Sequence, residues 1–67
     1  MNTFQLECFL AVSKFLNFAR ASEQMNISQP AMTHQIHALE EELHVKLFHR
    51  TTRIVELTDE GLAFLPD

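Results

Sequence analysis

The sequence predicts a mainly α-helical domain that carries a small β-hairpin, and three observations predict it. Apolar residues recur at helical spacing in three successive segments, each preceded by a short polar residue able to cap a helix. A fourth segment, Leu47 to Leu57, is rich in β-branched residues and ends in apolar/polar alternation. The chain has 67 residues, 46% of them apolar. That is too apolar for a disordered tail. A domain of this size buries only roughly 60% of its unfolded surface, which favours a helix-rich fold.

The first helix is expected from about Thr3 to Leu16. Phe9, Val12 and Leu16 fall at i, i+3 and i+7, with Leu6 and Phe15 flanking the same stripe. Asn2 or Thr3 can cap it, and Asn2 followed by Gln5 resembles a capping box. Asn17 interrupts the apolar run and caps a second, two-turn helix, in which Phe18, Ala21 and Met25 repeat the spacing with Ser22 beside Ala21. Asn26 stands where a tight turn is wanted, because asparagine tolerates the left-handed backbone better than most non-glycine residues.

Ile27 plugs that turn, Ser28 caps the third helix, and Pro30 lies in its first turn, where the missing N–H is no loss. Met32, Ile36, Leu39 and Leu43 make the strongest stripe in the chain. The opposite side carries Gln29, Thr33, His34 and His37, then Glu40 and Glu41; the acidic run Glu40–Glu42 is expected to be a solvated helix end. After Val45 two short strands are expected, joined by a turn around Thr51–Ile54. Thr58 caps a last helix whose first-turn acids, Asp59 and Glu60, suit the macrodipole, and Leu62 and Leu65 are its expected packing residues.

Several function classes fall away. A catalytic domain with its own cleft is not expected at this size, and no Ser/His/Asp, paired-carboxylate or CxxC arrangement is present. The single cysteine, Cys8, forms no internal disulfide, sits in the apolar register of the first helix and suits a reducing, cytoplasmic setting. The longest apolar run, Cys8–Val12, is five residues, far short of the roughly 20 that span a bilayer. The opening Met-Asn-Thr-Phe-Gln has no basic or apolar leader character, so no signal peptide is expected. One glycine, Gly61, excludes phosphate-cradling loops. His34 and His37 lack cysteine or carboxylate partners at ligand spacing, so no metal or cofactor is expected, and His44 and His49 are expected at the surface.

Two helices joined at Asn26–Ile27 match a helix-turn-helix: small Ala21 and Ser22 at the crossing, apolar Met25, Ile27 and Met32 around the turn. Such a motif offers the N-terminal end of its second helix to the DNA major groove. There Gln29 is suited to pair bidentately with adenine, Thr33 to contact either base type or a thymine methyl, and Pro30 or Ala31 to touch a methyl. Arg50 and Arg53 flank the hairpin tip, and nothing obvious in the core needs them. Beside a helix-turn-helix, such a hairpin is a wing that lies along phosphates or reaches the minor groove, where arginine is favoured. The predicted fold is therefore a winged helix-turn-helix.

At this point the residues resemble a known family. Asn17-Phe18-Ala19-Arg20-Ala21-Ser22, Ile27-Ser28-Gln29-Pro30-Ala31-Met32-Thr33-His34-Gln35-Ile36, Leu39-Glu40-Glu41-Glu42-Leu43, Leu47-Phe48-His49-Arg50-Thr51 and Leu57-Thr58-Asp59-Glu60-Gly61 look like the N-terminal domain of LysR-type transcriptional regulators. The likeness covers essentially the whole chain, in order. It implies a bacterial regulator that binds inverted-repeat, double-stranded DNA operators as a homodimer or tetramer and senses a small molecule through a larger domain outside this chain.

Carried over by position, the resemblance implies Ser28, Gln29, Pro30, Thr33 and His34 on the major-groove face and His37 near the DNA backbone. It implies Arg50, Thr51 and Arg53 in the wing. It also divides the chain into a DNA-binding domain, residues 1–57, and the truncated start of a linker and dimerisation helix, residues 58–67. With His34 and His37 on the DNA face, binding is expected to strengthen as pH falls from about 8 to 6, since imidazolium is favoured beside phosphate.

The net charge of −4, from five Lys+Arg and nine Asp+Glu, runs against nucleic-acid binding. It also motivates an alternative in which the same scaffold docks a protein through its acidic exterior. The distribution favours DNA. Glu7, Glu23, Asp59, Glu60 and Asp67 lie outside the contact elements, whereas Gln29–His37 and His49–Val55 contain no acid. A protein-docking module has no reason to gather Gln29, Thr33 and Arg53 on one rim.

Overall fold

In the computed structural model, which describes residues 1–66, every helix starts on a side chain that takes up a first-turn N–H. Asn2 Oδ1 accepts the Gln5 N–H at 2.8 Å and begins α1, Thr3–Phe15. Asn17 Oδ1 accepts the Arg20 N–H at 3.0 Å and begins α2, Phe18–Met25. Ser28 Oγ accepts the Ala31 N–H at 3.2 Å and begins α3, Gln29–Leu43. Thr58 Oγ1 accepts the Gly61 N–H at 2.9 Å and begins α4, Asp59–Phe64. Gln5 does not return the bond as a capping box would; its Oε1 is buried without a partner among the described residues.

Between α3 and α4, β1 (Phe48–Arg50) and β2 (Val55–Leu57) pair antiparallel, with Phe48 opposite Leu57, His49 opposite Glu56 and Arg50 opposite Val55. The tip closes where expected: the Thr51 N–H donates to the Ile54 carbonyl at 2.9 Å. Thr51 Oγ1 accepts the N–H groups of Arg53 and Ile54 at 3.3 and 3.1 Å. Four helices and a two-stranded hairpin in this order form a winged helix-turn-helix.

The core is assembled from the stripes. Phe9 and Val12 of α1, Ala21 of α2, Met32, Ile36 and Leu39 of α3, and Leu47 are all buried in one cluster. Phe9 joins the parts, its ring centroid 5.6 Å from Phe48 in β1 and 5.2 Å from Phe64 in α4. Aromatic pairs at such separations add about 0.5–1.5 kcal/mol beyond their burial. Cys8 is fully buried in the same cluster, and burial, with the Glu7 carboxylate adding to it, pushes its thiol up. Alkylation of Cys8 by iodoacetamide at pH 8 is therefore expected to be at least about tenfold slower in the folded chain than in urea. Equal rates would place the thiol in solvent.

Three sequence expectations need correction. Leu16 does not extend the α1 stripe: the helix ends at Phe15, and Leu16 takes the left-handed conformation with φ 49° and stays 43% exposed. Glu40 is not on a solvated face but only 7% exposed. It lies one turn beyond Ile36, on the flank of the buried stripe, and its Oε2 accepts the N–H of Leu47 at 2.7 Å and of Phe48 at 3.3 Å. Leu62 is 62% exposed, while Leu65 and Phe64 pack on the core. The seat of α4 is set by Gly61 against the Leu47 carbonyl, and Leu62 is turned about 100° from it. Asp67, counted among the acids away from the contact face, lies outside the described residues.

Candidate nucleic-acid interface

The turn between α2 and α3 fixes the interface. Asn26 takes φ 58°, the left-handed turn expected of it, and the Ile27 N–H donates to the Ser22 carbonyl at 3.0 Å. Ala21 is fully buried in the core, and Ile27 packs half-buried against it. A larger residue at Ala21 would overpack this core. On the N-terminal half of α3, Met32 and Ile36 are buried, while Gln29, Pro30 and His34 face outward.

Gln29, Pro30, Thr33, His34 and His37 line one shallow depression on that half of α3. A second groove runs from the start of α2 past Gln29 to the wing, along Arg50, Thr51 and Arg53. Gln29 belongs to both, so the recognition surface and the wing form one continuous rim. Of the remaining predicted residues, Ser28 is occupied as the α3 cap, although exposed, and Ala31 is half-buried; neither lines these depressions. Segments 29–37 and 49–55 of this rim contain no acid.

The two wing arginines differ. Arg53 is exposed at the tip and has no carboxylate partner among the described residues. Arg50 is engaged by the fold, against the expectation that nothing in the core needs it: its guanidinium carbon sits 4.5 Å from the Phe18 ring centroid, and its Nη2 meets His37 Nε2. The reason lies in the strand. Residues i and i+2 share a face, so Arg50 follows Phe48, whose ring packs 6.0 Å from Phe18. Phe18 looked like a plain core residue in its helical stripe, and the signal for its second role was this spacing in β1.

A guanidinium only donates, so the contact with His37 needs the lone pair of a neutral ring on Nε2. His34 is exposed on the same face of α3. Thr51 accepts two backbone N–H groups through Oγ1, which leaves its hydroxyl proton as the group it can offer outward. Among the described residues no group of three or more His, Cys, Asp or Glu side chains is arranged to hold a metal. No helix among them is long and apolar enough to cross a membrane.

Residues 4–62 match the family model described as bacterial regulatory helix-turn-helix protein, lysR family. The HTH-type transcriptional regulator TfdT of Cupriavidus pinatubonensis is 49% identical over 67 residues, which are 100% of this chain and 29% of TfdT. ClcR of Pseudomonas putida is 51% identical over 63 residues, 94% of this chain and 21% of ClcR. The chain thus spans under a third of these relatives, which are transcriptional regulators and not enzymes. The crystal structure of a CbnR DBD–DNA complex superposes with a TM-score of 0.92 at 44% identity, covering 96% of this chain and 74% of that one. A BenM DBD complex with catB site 1 DNA gives 0.91 at 39% identity, covering 96% and 72%. Motif, wing and relatives agree, and the chain belongs to the LysR family of bacterial regulatory helix-turn-helix proteins.

Proposed function

We propose that this chain is the operator-recognition module of a cytoplasmic bacterial transcriptional regulator, with α3 in the major groove and the wing on the adjacent minor groove and backbone. The observation that carries the reading is the continuous acid-free rim on which Gln29 joins the exposed face of α3 to the wing. Gln29 pairs with adenine, Thr33 contacts a neighbouring base, and Pro30 and Ala31 approach thymine methyls. Ser28 and His34 complete the major-groove face, His37 lies near the DNA backbone, and Arg53 enters the minor groove beside Thr51, with Arg50 in the wing at the end of β1. Residues 1–57 form the DNA-binding domain, and the segment 58–67 belongs to a linker and dimerisation element whose described helix is α4, Asp59–Phe64. The full-length regulator binds double-stranded, inverted-repeat operators as a homodimer or tetramer, as the family resemblance implies. The reported DNA complexes of CbnR and BenM support this reading.

Two substitutions separate base reading from phosphate attraction. Gln29→Ala is expected to cost about 1–3 kcal/mol on the preferred duplex and to relax specificity at one base pair. Arg53→Ala is expected to weaken binding across sequences and to lower the salt slope by about one. Fluorescence anisotropy on preferred and scrambled duplexes over a salt series checks both. If both variants bind as the parent does, the residue assignment is wrong.

A further inference from the structure

We infer that Arg50 is a positioning residue that sets the wing against the recognition helix, rather than a phosphate contact. This inference rests on the DNA-binding reading above. Three elements meet at the guanidinium: the Phe18 ring at the start of α2 lies 4.5 Å below it, His37 Nε2 of α3 meets its Nη2, and its own backbone belongs to β1. Arg50 is the last residue of β1 before the tip, paired with Val55 across the hairpin. The hairpin is short, three residues a strand, and a two-stranded ribbon of that length does not hold its own orientation.

Phe48 anchors the base of the hairpin in the core. From there outward, Val55 packs half-buried against the core, and the side-chain contacts that reach from the end of β1 to named residues of α2 and α3 are those of Arg50. The tip itself is braced internally, by Thr51 Oγ1 on the Arg53 and Ile54 N–H groups. Hairpin and tip therefore move as one lever, and Arg50 fixes its angle. That angle decides how far Arg53 stands from a minor groove when Gln29 and Thr33 are seated in the major groove. A planar, stacked guanidinium can do this; a lysine ammonium carries the same charge without the flat face or the fork.

Charge and position are separated by Arg50→Lys. Without DNA, the Arg50 side-chain protons are expected to be shifted upfield by the Phe18 ring. The backbone heteronuclear NOE of 51–54 is expected to fall in Arg50→Lys while α1–α3 keep theirs. Unshifted protons, or a wing equally ordered in the variant, would overturn the inference. With the duplex selected from a random pool, Arg53→Ala is expected to weaken binding about tenfold when Arg50 is present and about twofold or less in the Arg50→Lys background. Additive losses would overturn it. So would an Arg50→Ala defect that lysine restores, with the salt slope down by about one in the alanine variant, because that is the mark of a phosphate contact. Should the parent chain enrich no duplex, the DNA-binding reading fails while the measurements on the free chain still decide whether Arg50 holds the wing.

Discussion

Glu40→Ala is expected to destabilise the domain by about 2–4 kcal/mol, lowering the Tm by roughly 10–25 °C at this chain length. The carboxylate is 7% exposed and its Oε2 accepts two backbone N–H groups, Leu47 at 2.7 Å and Phe48 at 3.3 Å. Bonds to a charged acceptor contribute more than neutral ones, and truncation leaves buried donors without this partner. The connection matters because Leu47 and Phe48 take the chain from α3 into the wing. Glu40→Gln keeps an acceptor oxygen without the charge, so about half the loss is expected there. Thermal and urea melts followed by circular dichroism check both. An alanine variant within about 0.5 kcal/mol of the parent would mean that this carboxylate does not hold the junction.

Gly61→Ala is expected to lose about 1–3 kcal/mol, although helix propensity alone predicts a gain of nearly 1 kcal/mol for alanine. A Cβ at this position would lie 2.2 Å from the Leu47 carbonyl oxygen and 3.0 Å from Leu57 Cδ2. The obstacle is backbone and has little room to yield, since the same Leu47 oxygen accepts the Thr58 N–H at 3.0 Å. Relief requires α4 to move off the hairpin, which draws Phe64 away from the Phe9 ring. A melt reads the sign directly: a variant as stable as the parent, or more so, would show that α4 is not seated on Leu47.

The helix starts were legible because capping is local chemistry: Asn2, Asn17, Ser28 and Thr58 each bond an N–H three residues on. Asn26 and the turn at Thr51–Ile54 were legible for the same reason, the turn residues carrying their own preference. Tertiary partners were not. Glu40 looked solvated within an acidic run, because sequence spacing cannot show that Leu47 and Phe48 return over it. Leu16 matched the helical period yet fell where α1 ends in a left-handed residue. Leu62 looked like a packing residue until Gly61 set which side of α4 meets the hairpin.

The candidate site divided along the same line. Gln29, Pro30, Thr33, His34 and His37 share a face as helical spacing requires, whereas the joining of that face to the wing through Gln29 needed the fold. Arg50 looked like a second copy of Arg53, but the strand alternation that sets Phe48 inward also lays Arg50 over Phe18. The net charge of −4 likewise changes meaning by location: the rim itself is free of acids, with Glu40 buried at the far end of α3 and engaged by backbone. With few cations to supply sequence-independent attraction, binding by this chain alone is expected to be weak and to need low salt.

Selection from a pool of random duplexes at low salt tests the central claim, that α3 and the wing read DNA sequence. The account predicts enrichment of a shared motif, arranged as an inverted repeat where two copies bind, and a Gln29→Ala chain that loses preference at one base pair of it. A pool that stays random, or a motif unchanged by both Gln29→Ala and Arg53→Ala, would contradict it.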